Sequence, residues 1–458
     1  MRTAQSKDPE KVMPAHTVNA ISTTNFRRVN LRPKIHRLVL AFLVVLVFLV
    51  VIPAGNPLLL RAQTATPAQL DHYRTQITHA LFIDNPLPAL DPQTFGSSNP
   101  TKDVRIERVS FATQYGMRVP AIVYVPTHIK THAPAMVIVA GHGGDKTSWY
   151  EIYAGLLYAK AGAIVLTYDP IGEDERNISR ATGTRAHDAP IPGLNPPARV
   201  GGLMIEDVLQ ALRYIAQRKD VDPARIALLG YSMGSFHAAL AAAITQTPLR
   251  ALVLSAGGNL DGPNQYWDSG NKINCQSGPY KQLLFLEDRG ATLYALRSQS
   301  GPTLIMNGAQ DGLITKFNAQ EPWFDDLRQR IVAITGSRAN LPETIFYPDA
   351  GHRPSWVDRD AILWLNHQLL FPNWADSTVR AFTTTTAHAW STRAGTPIAT
   401  AYDNALQEGG VPIPDLNIPG IPRAELQAIP EAEWHQHRDQ YTLEGWTAHA
   451  LATETPGK

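Results

Sequence analysis

Short apolar runs alternate with longer stretches of helical character through the middle of this chain. Residues 135–140, 163–168, 225–230, 251–255, 303–307 and 344–347 are dominated by apolar side chains and read as strands, 135–140 as a buried one. Between them, 149–161, 203–217, 235–244, 320–333 and 357–370 read as helices. Two further segments, 105–111 and 118–125, alternate or run apolar and predict an antiparallel hairpin at the entrance to the sheet. Strands interleaved with helices in this way predict an α/β fold, a mostly parallel doubly wound sheet with helices on both faces. Residues 103–373 are assigned to this one domain, a large size that the architecture accommodates.

Both ends depart from that pattern. Fifteen uninterrupted apolar residues occupy 38–52, behind Arg27, Arg28, Arg32, Lys34 and Arg37. The run has the length of a signal-peptide core, and with its continuation to Leu60 it reaches spanning length, so 38–60 is read as a signal anchor or a signal peptide. The basic segment 1–37 is expected to be disordered and to stay in the cytoplasm. The remainder is then exported, held at the membrane or released by cleavage near Ala54 or Ala65. Residues 61–102 are expected to be a linker with one short helix around 67–82. Residues 374–458 form an extension, packed on the domain or loosely attached, with a Pro-rich stretch from Pro412 to Pro422 and with Trp434 and Trp446.

Charge and cysteine usage narrow the chemistry. A formal net charge of +1 without a basic stripe offers nucleic acid no footprint. The single cysteine, Cys275, excludes an internal disulfide. His435 and His437 lack further ligands nearby, and there is no His-Glu-x-x-His or Cys-x-x-Cys pattern, so neither a metal nor another cofactor is expected.

The chemistry concentrates where strand-like runs end. Gly230-Tyr231-Ser232-Met233-Gly234 stands between the run 225–230 and a helix, the context of a nucleophile elbow. The two glycines spare a sharp turn from clashes that any side chain would cause. Asp311 follows the run 303–307, and His352 follows 344–347. All three would project from the carboxyl edge of one sheet, where doubly wound folds build their sites. A serine hydroxyl needs an imidazole to take its proton, and the imidazole needs a carboxylate to fix its tautomer. Ser232, His352 and Asp311 suit those roles as nucleophile, base and orienting acid. Asp349 is the rival acid, though it lies only three residues before His352. Upstream, Gly141-His142-Gly143-Gly144 follows the run 135–140 and suits an oxyanion hole, with donors from the N–H groups of Met233 and Gly144. His142 is read as a brace for that loop. Asp145 stands where a P-loop would need glycine before Lys146, so the turn is not a nucleotide site.

Two interruptions border the same edge. The charges of 171–200, among them Glu173, Arg176, Arg180, Arg185, His187 and Asp188, are read as an internal salt-bridge network. In 257–300, Tyr266 and Trp267 beside Asn259, Asp261 and Asp268 suit stacking on a sugar face, and are the candidate substrate-binding residues.

On these motifs residues 103–371 resemble an α/β-hydrolase of the dienelactone hydrolase, acetyl xylan esterase and prolyl-oligopeptidase-like group. Asp220-Val221-Asp222-Pro223-Ala224-Arg225-Ile226 is similar to the approach to the elbow strand in that group, and Tyr168-Asp169-Pro170-Ile171-Gly172-Glu173 to its strand-to-loop stretch. Dienelactone hydrolases proper usually carry cysteine at the elbow, where this chain has Ser232. The resemblance implies a serine ester hydrolase acting through an acyl-enzyme on short acyl esters, with carbohydrate acetyl esters as the favoured class. Two alternatives stand beside it. One is an exported peptidase of the prolyl-oligopeptidase type, although the stretch before residue 135 is too short for that group's propeller. The other is a membrane-held binding module without catalysis, which would have no use for a nucleophile.

Overall fold

The computed structural model describes residues 64–129, 132–193, 198–260, 273–313, 320–398 and 412–453, all within the unit Ala62–Lys458. The expected segments 1–37 and 38–60 lie outside the described residues, and so do Tyr266 and Trp267. Among the described residues no helix is long and apolar enough to cross a membrane.

Among the described residues nine strands form one sheet. In chain order they are β1 (Gln93–Thr101), β2 (Val104–Ala112), β3 (Arg118–Pro126), β4 (Ala133–Val139), β5 (Ile164–Tyr168), β6 (Val221–Tyr231), β7 (Ala251–Ser255), β8 (Thr303–Gly308) and β9 (Glu343–Tyr347). Their order across the sheet is β1-β2-β3-β5-β4-β6-β7-β8-β9. The first three pair antiparallel, β3 meets β5 antiparallel, and every later pairing is parallel. Every residue of β3, β4, β5, β7 and β8 is buried, which is why those runs show no polar alternation. At the edge, β9 is only half-buried and begins with Glu343 and Thr344, polar residues that discourage further pairing.

Two elements differ from the expected layout. The stretch expected to be a linker contains β1, which completes the antiparallel side of the sheet. Its sequence, Gln-Thr-Phe-Gly-Ser-Ser-Asn-Pro-Thr, carries little strand signal because it is an exposed edge that buries almost nothing. The helix Arg289–Ser298 lies within the stretch expected to be a loop, capped by the Asp288 carboxylate on the Ala291 N–H.

The extension is packed. Trp390, Ile413, Ile418, Ile421, Leu426, Trp434 and Tyr441 share one apolar core with the helix Trp149–Ala161, and Trp446 joins another with Met233. That helix is buried on nearly all sides, with the sheet on one face and Trp390 against Trp149 and Tyr153 on the other. A helix that is apolar all round needs two partners, and the extension supplies the second.

A buried charge cluster locks the extension down. Lys146 Nζ contacts the carboxylates of Asp169 at 2.5 Å, Asp174 at 2.7 Å and Glu175 at 2.8 Å. Arg423 reaches Asp174, and Arg180 reaches Glu175 at 3.0 Å. The Glu175 carboxylate also accepts the backbone N–H groups of Ala428 and Ile429 at 2.7 and 2.9 Å. Three cations thus face three carboxylates, and further donors come from the backbone at Glu175 and from the Gln427 amide at Asp174, which is what burial of charge requires. Burial alone would lower the Lys146 ammonium, but the three carboxylates outweigh it and hold it well above its ordinary range.

Glu206, in the helix Ala198–Ala216, is buried, and among the described residues no cation pairs with it. Its Oε2 accepts the Asp84 N–H at 2.8 Å and the Gln114 amide at 3.0 Å. Burial pushes its carboxyl up to about 8, against the pull of those donors. The folded protein therefore holds a proton that the unfolded chain releases from about pH 4.5, and stability falls as pH rises from there through about 8. Glu206→Gln keeps an acceptor oxygen without the charge. Denaturation series between about pH 5 and about pH 9 should show the parent losing stability relative to the variant across that window, with parallel curves as the contrary result.

Candidate active site

Ser232 closes β6 and opens the helix Met233–Ile244 with φ 54° and ψ −115°, a backbone conformation strained for any side chain. Its neighbours show why the turn takes glycine. A Cβ on Gly230 would run into the Gly234 carbonyl oxygen, and one on Gly234 would run into those of Val139 and Ala140. The Ser232 N–H donates to the Ser255 carbonyl at 2.9 Å, and the Ser235 hydroxyl lies 2.7 Å from both the Gly230 and Ser255 carbonyl oxygens.

The residues expected to act together do meet. Ser232 Oγ lies 2.8 Å from His352 Nε2, and His352 Nδ1 lies 2.8 Å from Asp311 Oδ2. A carboxylate only accepts, so Nδ1 holds the ring proton and Nε2 takes the Ser232 hydroxyl. Asp311 is fully buried, and its other oxygen accepts the Leu313 N–H at 2.9 Å. Asp349, the rival acid, is exposed.

Several positioning contacts have no signature in the sequence. Ser255, at the end of β7, ties the nucleophile to the histidine loop. Its carbonyl holds the Ser232 N–H, while its hydroxyl donates to the Arg353 carbonyl at 3.0 Å and accepts the Ser355 N–H. Asn307 bridges the ends of β7 and β8 through both the N–H and the carbonyl of Gly257, at 2.9 and 3.1 Å. The Tyr231 hydroxyl donates to the His352 carbonyl at 3.1 Å, and its ring packs against Tyr150 and Trp356. These links join strand ends, so only the register of the sheet brings them together.

The oxyanion donors come out differently from expectation. Met233 is the first residue of its helix, so its N–H has no acceptor within the helix and lies at the positive end of the helix dipole. The Gly144 N–H, in contrast, donates to the Gly141 carbonyl at 2.8 Å and closes the turn after β4. Gly144 is therefore committed to holding the loop and is not an open donor. His142 braces the same loop, as expected, with Nε2 2.9 Å from Asp188 Oδ1.

Comparison with known proteins agrees with this geometry. The sequence profile of the prolyl oligopeptidase family matches residues 198–375, and that of acetyl xylan esterase (AXE1) matches residues 89–255. Together the two profiles run from residue 89 to residue 375 and place that stretch in the α/β-hydrolase superfamily. Among curated proteins, a thiohydrolase of Arthrinium phaeospermum is 30% identical over 138 residues, which are 30% of the hydrolase and 39% of that protein. The hydrolase thus spans well under half of that relative's length. Among solved structures, the methylesterase BT1017 superposes with a TM-score of 0.50 at 19% identity, covering 69% of the hydrolase and 68% of that chain, a likeness of fold. An acetyl xylan esterase from Paenibacillus sp. R4 covers 67% of the hydrolase and 100% of its own chain at 17% identity and a TM-score of 0.46.

Replacing Ser255 by alanine removes both bonds that its hydroxyl makes to the histidine loop, to the buried Arg353 carbonyl and from the Ser355 N–H, a cost of about 1–3 kcal/mol. Steady-state kinetics of Ser255→Ala should give a kcat lowered about tenfold with KM little changed, because the histidine loop loosens while the pocket stays. A larger change in KM than in kcat would contradict this role.

Proposed function

We propose that the chain hydrolyses carboxylic esters through an acyl-enzyme. The observation that carries this reading is the unbroken relay from Ser232 Oγ through His352 to buried Asp311, each link 2.8 Å long. His352 takes the Ser232 proton as Oγ attacks the ester carbonyl, and the N–H of Met233 faces the oxygen on which negative charge develops. As the tetrahedral intermediate collapses, His352 returns the proton to the leaving alcohol. Water, activated by the same imidazole, then adds to the acyl-enzyme and releases the acid and free Ser232. Asp311 holds the ring in one tautomer and balances its positive charge in both steps.

The favoured substrates are short acyl esters, with acetylated carbohydrate first among them. Support comes from the acetyl xylan esterase profile over residues 89–255. The prolyl oligopeptidase profile over residues 198–375 supports a second reading, cleavage of a peptide bond by the same relay. We also place the catalytic unit outside the cytoplasm, on the strength of the apolar run 38–52 behind its basic flank.

Hydrolysis of p-nitrophenyl acetate, butyrate and octanoate by the full chain separates these readings. Rates should fall with acyl length, and Ser232→Ala should lose at least about 10⁴-fold in kcat. Cleavage of a peptide anilide with inert esters would favour the peptidase. A folded protein that neither turns over nor reacts with a fluorophosphonate at Ser232 would end the enzyme reading. Protease accessibility of the unit Ala62–Lys458 in intact cells checks its placement.

A further inference from the structure

Four side chains with metal-binding atoms meet at one spot and take no part in the relay. His142 comes from the turn after β4, His187 and Asp188 from the segment after β5, and Cys275 from the turn Ile273–Ser277. One ligand atom from each lies within 4.8 Å of all the others. His142, His187 and Cys275 are buried, while the Asp188 side chain is 37% exposed and gives the cluster an opening to solvent.

His187 is the telling member. Its Nδ1 lies 3.0 Å from the Ile171 carbonyl oxygen, which can only accept, so Nδ1 carries the proton and Nε2 the lone pair. Among the described residues Nε2 is buried with no hydrogen-bond partner, and Asp188 Oδ1 lies 3.7 Å from it. The same Asp188 oxygen lies 2.9 Å from His142 Nε2, so the two imidazoles and the carboxylate converge on one spot, an arrangement that a cation can bridge. A backbone carbonyl fixing the far nitrogen of a histidine is also how metal-ligating imidazoles are oriented.

The frame around the cluster is rigid. The Asn274 amide donates to the His187 and Ala189 carbonyls at 2.7 and 2.9 Å, and His237 Nε2 lies 2.8 Å from the Cys275 carbonyl. These contacts clamp the segment bearing His187 and Asp188 to the turn bearing Cys275. Two nitrogens, a thiolate and a carboxylate form a donor set suited to tetrahedral Zn²⁺. Zinc–ligand distances of about 2.0–2.3 Å require the four atoms to close by on the order of 1 Å, within reach of side-chain rotation. The second acidic group, Asp169 with Asp174 and Glu175, is different because Lys146 already fills its centre.

We propose that His142, His187, Asp188 and Cys275 form a four-ligand structural site for a divalent cation of the zinc type. The ion would pin the turn 141–144 and the segment 171–193 to the turn Ile273–Ser277. With every position taken by protein, it leaves no place for substrate or water, which separates it from the hydrolytic chemistry. The expectation of no metal rested on compact motifs, and a ligand set spread over three loops has none.

The test is to strip the full chain with a chelator and titrate it with Zn²⁺ and, separately, Co²⁺. One equivalent of Zn²⁺ should be retained through desalting and should raise the melting temperature. Co²⁺ should give the intense visible bands of a tetrahedral site together with a thiolate charge-transfer band. Cys275→Ser should abolish that charge-transfer band, and His187→Gln should abolish stoichiometric retention. Ser232→Ala should bind as the parent does, so the result stands apart from the ester reading. A folded parent that retains no Zn²⁺ and gives no cobalt bands overturns the proposal. Binding unchanged in both ligand variants overturns it too, since the ion would then sit elsewhere. Should those variants not fold, the charge-transfer band of the parent decides alone, because Cys275 is the one thiol in the chain.

Discussion

Ser232 has to be held where its backbone does not want to be. Its conformation costs on the order of 1–3 kcal/mol, and persists only because the surroundings leave no other. Gly230 and Gly234 allow the turn to press against the carbonyls of β4 and of its own helix. Ser235 and Ser255 then hold it by hydrogen bonds from both sides. Ser255 extends that grip across the sheet, because its hydroxyl also holds the loop that carries His352. The strained turn and the base are thus parts of one hydrogen-bonded unit, and the 2.8 Å approach of Ser232 to His352 follows from it.

The same logic of over-determination runs outward. The turn after β4 spends the Gly144 N–H on its own closure, and Tyr150 reaches back to accept the Gly141 N–H at 3.1 Å. Tyr150 packs in turn on Tyr231 and Trp356, and Trp149 on Trp390 of the extension. A continuous aromatic layer therefore joins the catalytic edge to residues far along the chain. The charge cluster around Lys146 does the same with ions, its carboxylates shared between the segment after β5 and the extension. Such clusters contribute little net stability, since desolvation offsets their attraction, but they penalise any arrangement that separates the partners.

Much of this was legible in the residues. β8 and the second half of β6 are buried, and even half-buried β9 keeps the apolar run Ile345-Phe346-Tyr347, so these segments stand out and the three polar residues that follow them name the site. The elbow glycines were legible because steric exclusion acts locally, within five residues. β1 was not, because an edge strand buries too little to need an apolar pattern. The role of 374–458 was not, because a helix covered on two sides looks merely apolar until its second cover is known.

The sequence by itself determined the fold class, the sheet's buried strands and the identities of Ser232, Asp311 and His352, since each follows from sterics or burial acting along a short stretch. Tertiary structure alone decided which donors remain free at the oxyanion turn, that Ser255 and Asn307 tie the strand ends, and that His142, His187, Asp188 and Cys275 share one spot. Those outcomes depend on distances between segments far apart in the chain, and a hydrogen bond or a ligand shell is lost within an ångström that no local pattern specifies.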